Sequence, residues 1–204
     1  MILTTGIRIY SGWDTPLSPE GSDPPGYLRA AMNIIDNFTY TGFRKDLTPD
    51  DYVPPGTSFF LSFFFMIFGA SFTIAKIVMA IFSVINCFLI FLIGAKLFNR
   101  KAGFIAFLIS LFDPAINYYS HTLYSETQFV FFVLISIYLG ILLLDRFRFY
   151  LTPIIGFSIA MGYFTKVWTL GIIGVLAGFY FFNLKDKSFI KKVKKISIYC
   201  GIIL

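Results

Sequence analysis

Two carboxylates and one lysine define the chemistry this chain could perform. Asp23 opens the string Asp23-Pro24-Pro25-Gly26-Tyr27, Glu126 follows the polar turn Asn117 to Ser125, and Lys166 is the only cation of a third turn. A carboxylate set beside a hydroxyl or amine removes its proton and makes it a nucleophile, a contribution of about 10²–10⁴ in rate. A lysine stabilises negative charge that develops on a departing group. A departing phosphate is already a stable anion and requires no general acid. The three residue types therefore suit a base-assisted displacement of phosphate.

Something must hold them together, and composition says what. The chain has 204 residues, of which 57% are hydrophobic and only 14% charged, with 27 Phe and a mean hydropathy of +0.76. Soluble domains are nearer ~25% charged, so the expected scaffold is an all-α, polytopic transmembrane helix bundle. A crossing needs ~20 apolar residues. Phe72 to Leu97, Ala102 to Tyr119 and Ser125 to Leu144 each qualify. Lys76, near one end of the first, is expected to snorkel to the interface. The stretch from Phe149 to Asn183 reads as two short helices that turn near Lys166. Cys87 and Cys200 both lie in apolar runs, so no disulfide framework is implied. No signal peptide follows Met1.

Charge orients the bundle. Lys96, Arg100 and Lys101, then Arg146 and Arg148, then Lys185, Lys187, Lys191, Lys192, Lys194 and Lys195 account for eleven of the 17 basic residues. Basic loops mark the cytoplasmic side. The net charge of +6 is thus a topology signal, and no nucleic-acid partner is expected. Seven acids, Asp14, Glu20, Asp23, Asp36, Asp46, Asp50 and Asp51, gather between Arg8 and Val53. That N-terminal loop, the Asn117–Ser125 turn and the Lys166 turn then share the outer face.

The expected organisation is an outer catalytic loop over residues 1–56, an interfacial helix over 57–71, and transmembrane helices over 72–204. The helix at 57–71 is apolar but too short to span. Pro54 and Pro55 fit its first turn. Asp23 is expected to cap a helix running to Asn37, with Tyr27 one turn on and on the same face. Asp113-Pro114 is expected to cap a kinked final turn. Both ends read as cut: Ile196 to Leu204 begins an apolar run half a span long, and Ile7-Arg8-Ile9 resembles the exit of a helix.

Converging outer turns would build a pocket with a base, a second carboxylate and a phosphate-sized positive site. Such a set suits glycosyl transfer from a polyprenyl-phosphate sugar. A single base attacking opposite the leaving group implies inversion at the anomeric carbon.

Ser22-Asp23 with Tyr27 and Ala30, Pro54-Pro55-Gly56, Phe68-Gly69 and the Ala75–Leu97 helix resemble the membrane glycosyltransferases of the GT-C fold. So do Tyr118-Tyr119 with Leu123-Tyr124-Ser125-Glu126, and the turn Gly162-Tyr163-Phe164-Thr165-Lys166. The similarity is to the branch related to protein O-mannosyltransferases and the lipid A aminoarabinose transferase. It implies that Asp23 is the catalytic base and Glu126 a second functional acid. Tyr27, Lys166 and Tyr52 would bind substrate, with Lys166 on the donor phosphate. Many relatives carry a basic residue before Pro-Pro, where Tyr52-Val53 stands here. A divalent metal, Mg or Mn, is left open, with Asp50 and Asp51 close enough to serve. The expected setting is a multi-pass protein of the plasma membrane, with a lipid-linked donor and an acceptor that is a protein, a lipid or a glycan.

Two other readings compete. A transporter or lipid-linked oligosaccharide flippase would carry polar groups at the bilayer midplane, whereas the acids here are expected at one rim. An inactive fragment of the transferase is the third reading.

Overall fold

The computed structural model describes residues 23–41, 54–145, 150–171, 174–175 and 178, the side chains of Asp23, Leu144 and Asp145 excepted. Tyr52, Asp50, Asp51, Cys200, both chain ends and the loop cations beyond Lys101 lie outside the described residues. Among those described, all regular structure is helical. In order come α1 (Asp23–Asn37), α2 (Gly56–Phe68), α3 (Phe72–Leu97), α4 (Arg100–Phe112), α5 (Pro114–Tyr119), α6 (Glu126–Asp145) and α7 (Leu151–Thr165), followed by a 3-10 turn at Val167–Thr169.

Local chemistry fixes several of these ends. The Ser71 hydroxyl accepts the Ile74 N–H at the start of α3, and Asn99 Oδ1 accepts the Ala102 N–H at the start of α4. Asp113 Oδ1 accepts the Ile116 N–H at 2.8 Å, with Pro114 in the first turn of α5. Each such cap stabilises its helix by about 1 kcal/mol. The expected cap at Asp113 is therefore present, and it ends α4 after only 13 residues. The Ala102–Tyr119 stretch is two helices, not one continuous span, because proline denies the helix a donor and extends the residue before it.

Among the described residues two helices, Phe72–Leu97 and Glu126–Leu143 within α6, are long and apolar enough to cross a bilayer. The helices α2 and α7 are apolar but shorter. Large side chains of α4 (Phe104, Ile105, Leu108, Ile109 and Phe112) stand exposed, which in a bilayer is a face for lipid.

The core joins α1, α2, α3 and the loop before α6. Tyr27, Leu28 and Ala31 pack with Leu61, Phe65, Ala75, Met79 and Leu123 in one buried cluster. Beside it Phe60, Phe64, Phe82, Phe131 and Phe132 meet mostly edge to face, with Phe60–Phe82 centroids at 4.7 Å and Phe82–Phe131 at 4.8 Å. These tilted pairs tie α2, α3 and α6. Lys76 belongs to this interior. Only 7% of it is exposed, and its ammonium stands 4.5 Å from the centre of the Phe72 ring. Near the start of α3, the lysine is therefore enclosed by protein, with its charge against an aromatic face.

Glycines let α3 and α4 touch. A methyl group built at Gly103 would stand 2.6 Å from both Ala95 N and Phe91 O, and one at Gly94 2.9 Å from Gly103 Cα. Small residues permit this approach of helix backbones. Gly103→Ala is expected to lower the melting temperature in detergent, an overpacking cost of about 1–3 kcal/mol. Gly174→Ala, whose new methyl meets nothing within 4 Å, should leave it unchanged. Equal melting temperatures would remove the close-contact argument.

Candidate active site

The site is built from three loops that end on one another. Lys166 terminates α7 in an extended conformation. Its N–H donates to Gly162 O at 2.8 Å, while its carbonyl accepts from Thr169 N at 3.0 Å and Thr169 Oγ1 at 2.8 Å. This folds the 3-10 turn back onto α7, close enough that a methyl built at Gly162 would stand 2.7 Å from Thr169 Cγ2. Gly56, the first residue of α2, lies directly on the same turn. The motif Pro54-Pro55-Gly56 and the motif Gly162 to Lys166 are therefore one structural unit.

Glu126 is the first residue of α6, as the sequence suggested. Thr127 Oγ1 donates to Tyr119 O at 2.8 Å, and Asn86 Nδ2 donates to Thr127 O at 2.9 Å across 41 residues. The loop leading in carries a strained residue, Leu123, at φ 58° and fully buried. A non-glycine residue held there costs about 1–3 kcal/mol. The burial of Leu123 against Tyr27, Leu61 and Met79 compensates. Tyr27 of α1 and Leu123 of the loop before Glu126 thus share one cluster.

The decisive contact joins Glu126 to the third turn. Lys166 Nζ lies 2.6 Å from Glu126 Oε1, and the two side chains are 30% and 29% exposed. The other carboxylate oxygen, Oε2, is buried without a hydrogen-bond partner. Two of the residues expected at the site are therefore bonded to each other. Tyr27 is only 3% exposed and belongs to the buried cluster that includes Leu123. Asp23 begins α1 as expected, and its carboxylate lies outside the described atoms, as does all of Tyr52.

Asn86 is the fourteenth residue after Phe72 in a helix of 26, about 21 Å along an axis of about 39 Å. Its bond to Thr127 sets the start of α6 beside the middle of α3.

Asn86 itself was missed by reasoning from charge. The signal was present: Lys76, Met79, Ser83, Asn86 and Ile90 fall at alternating spacings of three and four, one face of α3. A buried polar stripe inside an apolar span is a functional candidate. Below the ion pair, Ser83, Asn86, Ile90, Ala115, Ile116, Tyr119, Glu126, Thr127 and Val130 line a cavity of about 100 Å³. Tyr119 of this lining contacts Tyr118 and Tyr124, which also contact each other, and His121 joins Tyr118. No group of three or more His, Cys, Asp or Glu stands together among the described residues.

A family model described as dolichyl-phosphate-mannose-protein mannosyltransferase matches residues 52–204. The matched stretch contains Tyr52, Pro54-Pro55-Gly56, Asn86, Glu126 and Lys166, while Asp23 and Tyr27 precede it. A search of curated proteins found no match. A search of solved structures found none.

Proposed function

Because the chain belongs to the dolichyl-phosphate-mannose-protein mannosyltransferase family, with its GT-C fold, we propose that it moves a sugar from a polyprenyl-phosphate donor to a protein, lipid or glycan acceptor on the outer face of the membrane. Membrane glycosyl transfer of the GT-C type is the general activity. The observation that carries the finer reading is the Glu126–Lys166 pair, clamped between the Pro-Pro-Gly helix start and the polar loop. It offers one cation for a phosphate and one carboxylate that keeps that cation in place.

In this reading Asp23 takes the proton of the acceptor hydroxyl or amine. The acceptor atom bonds to the anomeric carbon from the face opposite the phosphate, and the bond from that carbon to the phosphate oxygen breaks. Its electron pair leaves with the polyprenyl phosphate, whose charge Lys166 stabilises. One displacement inverts the anomeric carbon. Tyr27 orders the helix that begins at Asp23, and Tyr52 flanks the donor. Glu126 holds Lys166 extended until the phosphate competes for it.

Asp23→Asn, in membranes carrying the full chain, is expected to lower sugar transfer by about 10²–10⁴-fold without lowering the amount of folded protein. Undiminished turnover would remove the assignment of the base. A second reading draws on Asn86, a buried amide midway along the 26-residue α3: a polar group in the middle of a membrane-length helix also suits a transporter or flippase. The two part on product. An enzyme yields a glycosylated acceptor and free polyprenyl phosphate, whereas a transporter or flippase leaves the sugar–phosphate bond intact.

A further inference from the structure

Six side-chain polar atoms among the described residues are buried without a hydrogen-bond partner, and three of them, Asn86 Oδ1, Glu126 Oε2 and Gln128 Oε1, occur on the first turn of α6 and the residue of α3 bonded to it. All three are acceptors. Each unmet acceptor costs about 1–3 kcal/mol, so such a concentration marks a place completed by a donor-bearing group. Asn86 and Glu126 both line the cavity beneath the ion pair. Asn86 is 3% exposed, one of its two amide hydrogens goes to Thr127 O, and its buried oxygen is without a partner.

The lining selects among ligands. A phosphate brings acceptors and negative charge, and it would meet acceptors and a carboxylate. A cation would find one carboxylate and one open amide oxygen, with the Thr127 hydroxyl already bonded to Tyr119 and Ile90, Ala115, Ile116 and Val130 on other sides, short of the roughly six or more oxygens that Mg or Ca takes. A monosaccharide brings hydroxyl donors on its rim and C–H groups on its face. The first match Asn86 and Glu126; the second match the ring of Tyr119, which also lines the cavity. The volume, about 100 Å³, is several times what one water needs.

We infer that this cavity is a sugar-recognition pocket. In it Asn86 Oδ1 and Glu126 Oε2 accept hydrogen bonds from hydroxyls of the transferred sugar, and Tyr119 stacks on its C–H face. The inference rests on the sugar-transfer reading and deepens it: Lys166 draws the phosphate to one side of Glu126, and Asn86 reads the sugar on the other. Asn86 is then a specificity-determining residue.

The test uses the full chain in proteoliposomes, a panel of polyprenyl-phosphate hexoses and pentoses to find a transferred sugar, and singly deoxygenated analogues of that donor. The wild type is expected to disfavour at least one deoxy donor by about 10-fold or more in kcat/KM, the scale of one lost hydrogen bond to a well-built site. Asn86→Leu should bring the ratio of parent to that deoxy donor to about 1. A merely structural role, through the bond to Thr127, would slow both donors alike and leave the ratio unchanged; that result overturns the inference. Should Asn86→Leu fail to fold, the wild-type profile decides by itself, since equal use of every deoxy donor also overturns it. Transfer of no sugar from any donor would instead sink the function proposed above.

Discussion

Lys166→Met is expected to lower sugar transfer about 100- to 1,000-fold, the usual loss when one group that stabilises developing charge is removed. Its effect on stability should be small. Both partners of the Glu126–Lys166 pair keep nearly a third of their surface exposed, and partly solvated ion pairs contribute about 0–1 kcal/mol. Large loss of turnover with a nearly unchanged melting temperature is therefore the signature of a cation that works on substrate. Glu126→Gln keeps an oxygen for Lys166 but removes the charge that holds it, and its turnover should lie between the two. Exchanging the pair as Glu126→Lys with Lys166→Glu restores an ion pair, and should restore melting but not transfer. The reason is geometric. Lys166 has its backbone clamped on both sides, by Gly162 and by Thr169, whereas residue 126 begins a different helix and delivers its charge from the cavity side. If Lys166→Met turns over at the wild-type rate, the phosphate role is lost. If it loses activity and melting together, the pair is structural.

What could be foreseen from the residues was local. The start of α1 at Asp23, its end at Asn37, the Asp113 cap, the start of α6 at Glu126 and the turn at Lys166 are each written in a few adjacent side chains, because caps and prolines act over one helical turn. The membrane class follows from hydrophobic length, which is also a local property. Packing was not foreseeable in the same way. Lys76 looks like an end-of-span lysine until α3 is seen with its neighbours, and Asn86 looks like an isolated amide until Thr127 is found beside it. Tyr27 was expected as a neighbour in the site, yet its ring is nearly as buried as the leucines around it. The start of α6 is the clearest case: nothing adjacent to Glu126 in the sequence announces that Thr127 is bonded to Asn86, 41 residues away. Charge reading found both members of the ion pair. It could not find their contact, which spans 40 residues.

Gly56→Ala is expected to be among the most damaging single-methyl changes in the chain. A methyl group built there would stand 2.5 Å from the Phe164 carbonyl carbon, 2.6 Å from its oxygen and 2.7 Å from Thr165 N. These are main-chain atoms of the final turn of α7, and no rotamer can move them aside. Either α2 or the Lys166 turn must shift. The overpacking cost is about 1–3 kcal/mol, and a shift of even about 1 Å at a site can lower turnover by about 100-fold. Sugar transfer should therefore fall further than the melting temperature suggests. Gly171→Ala, five residues past Lys166 and with nothing within 4 Å of the new methyl, is the matched comparison and should keep both properties. The pairing also separates two explanations for the Pro54-Pro55-Gly56 string. If it serves only to start α2, alanine at 56 is tolerated, since alanine favours helix more than glycine does. If it serves to seat the Lys166 turn, alanine at 56 lowers transfer and Gly171→Ala does not. Wild-type transfer by Gly56→Ala would show that the two motifs do not act as one unit.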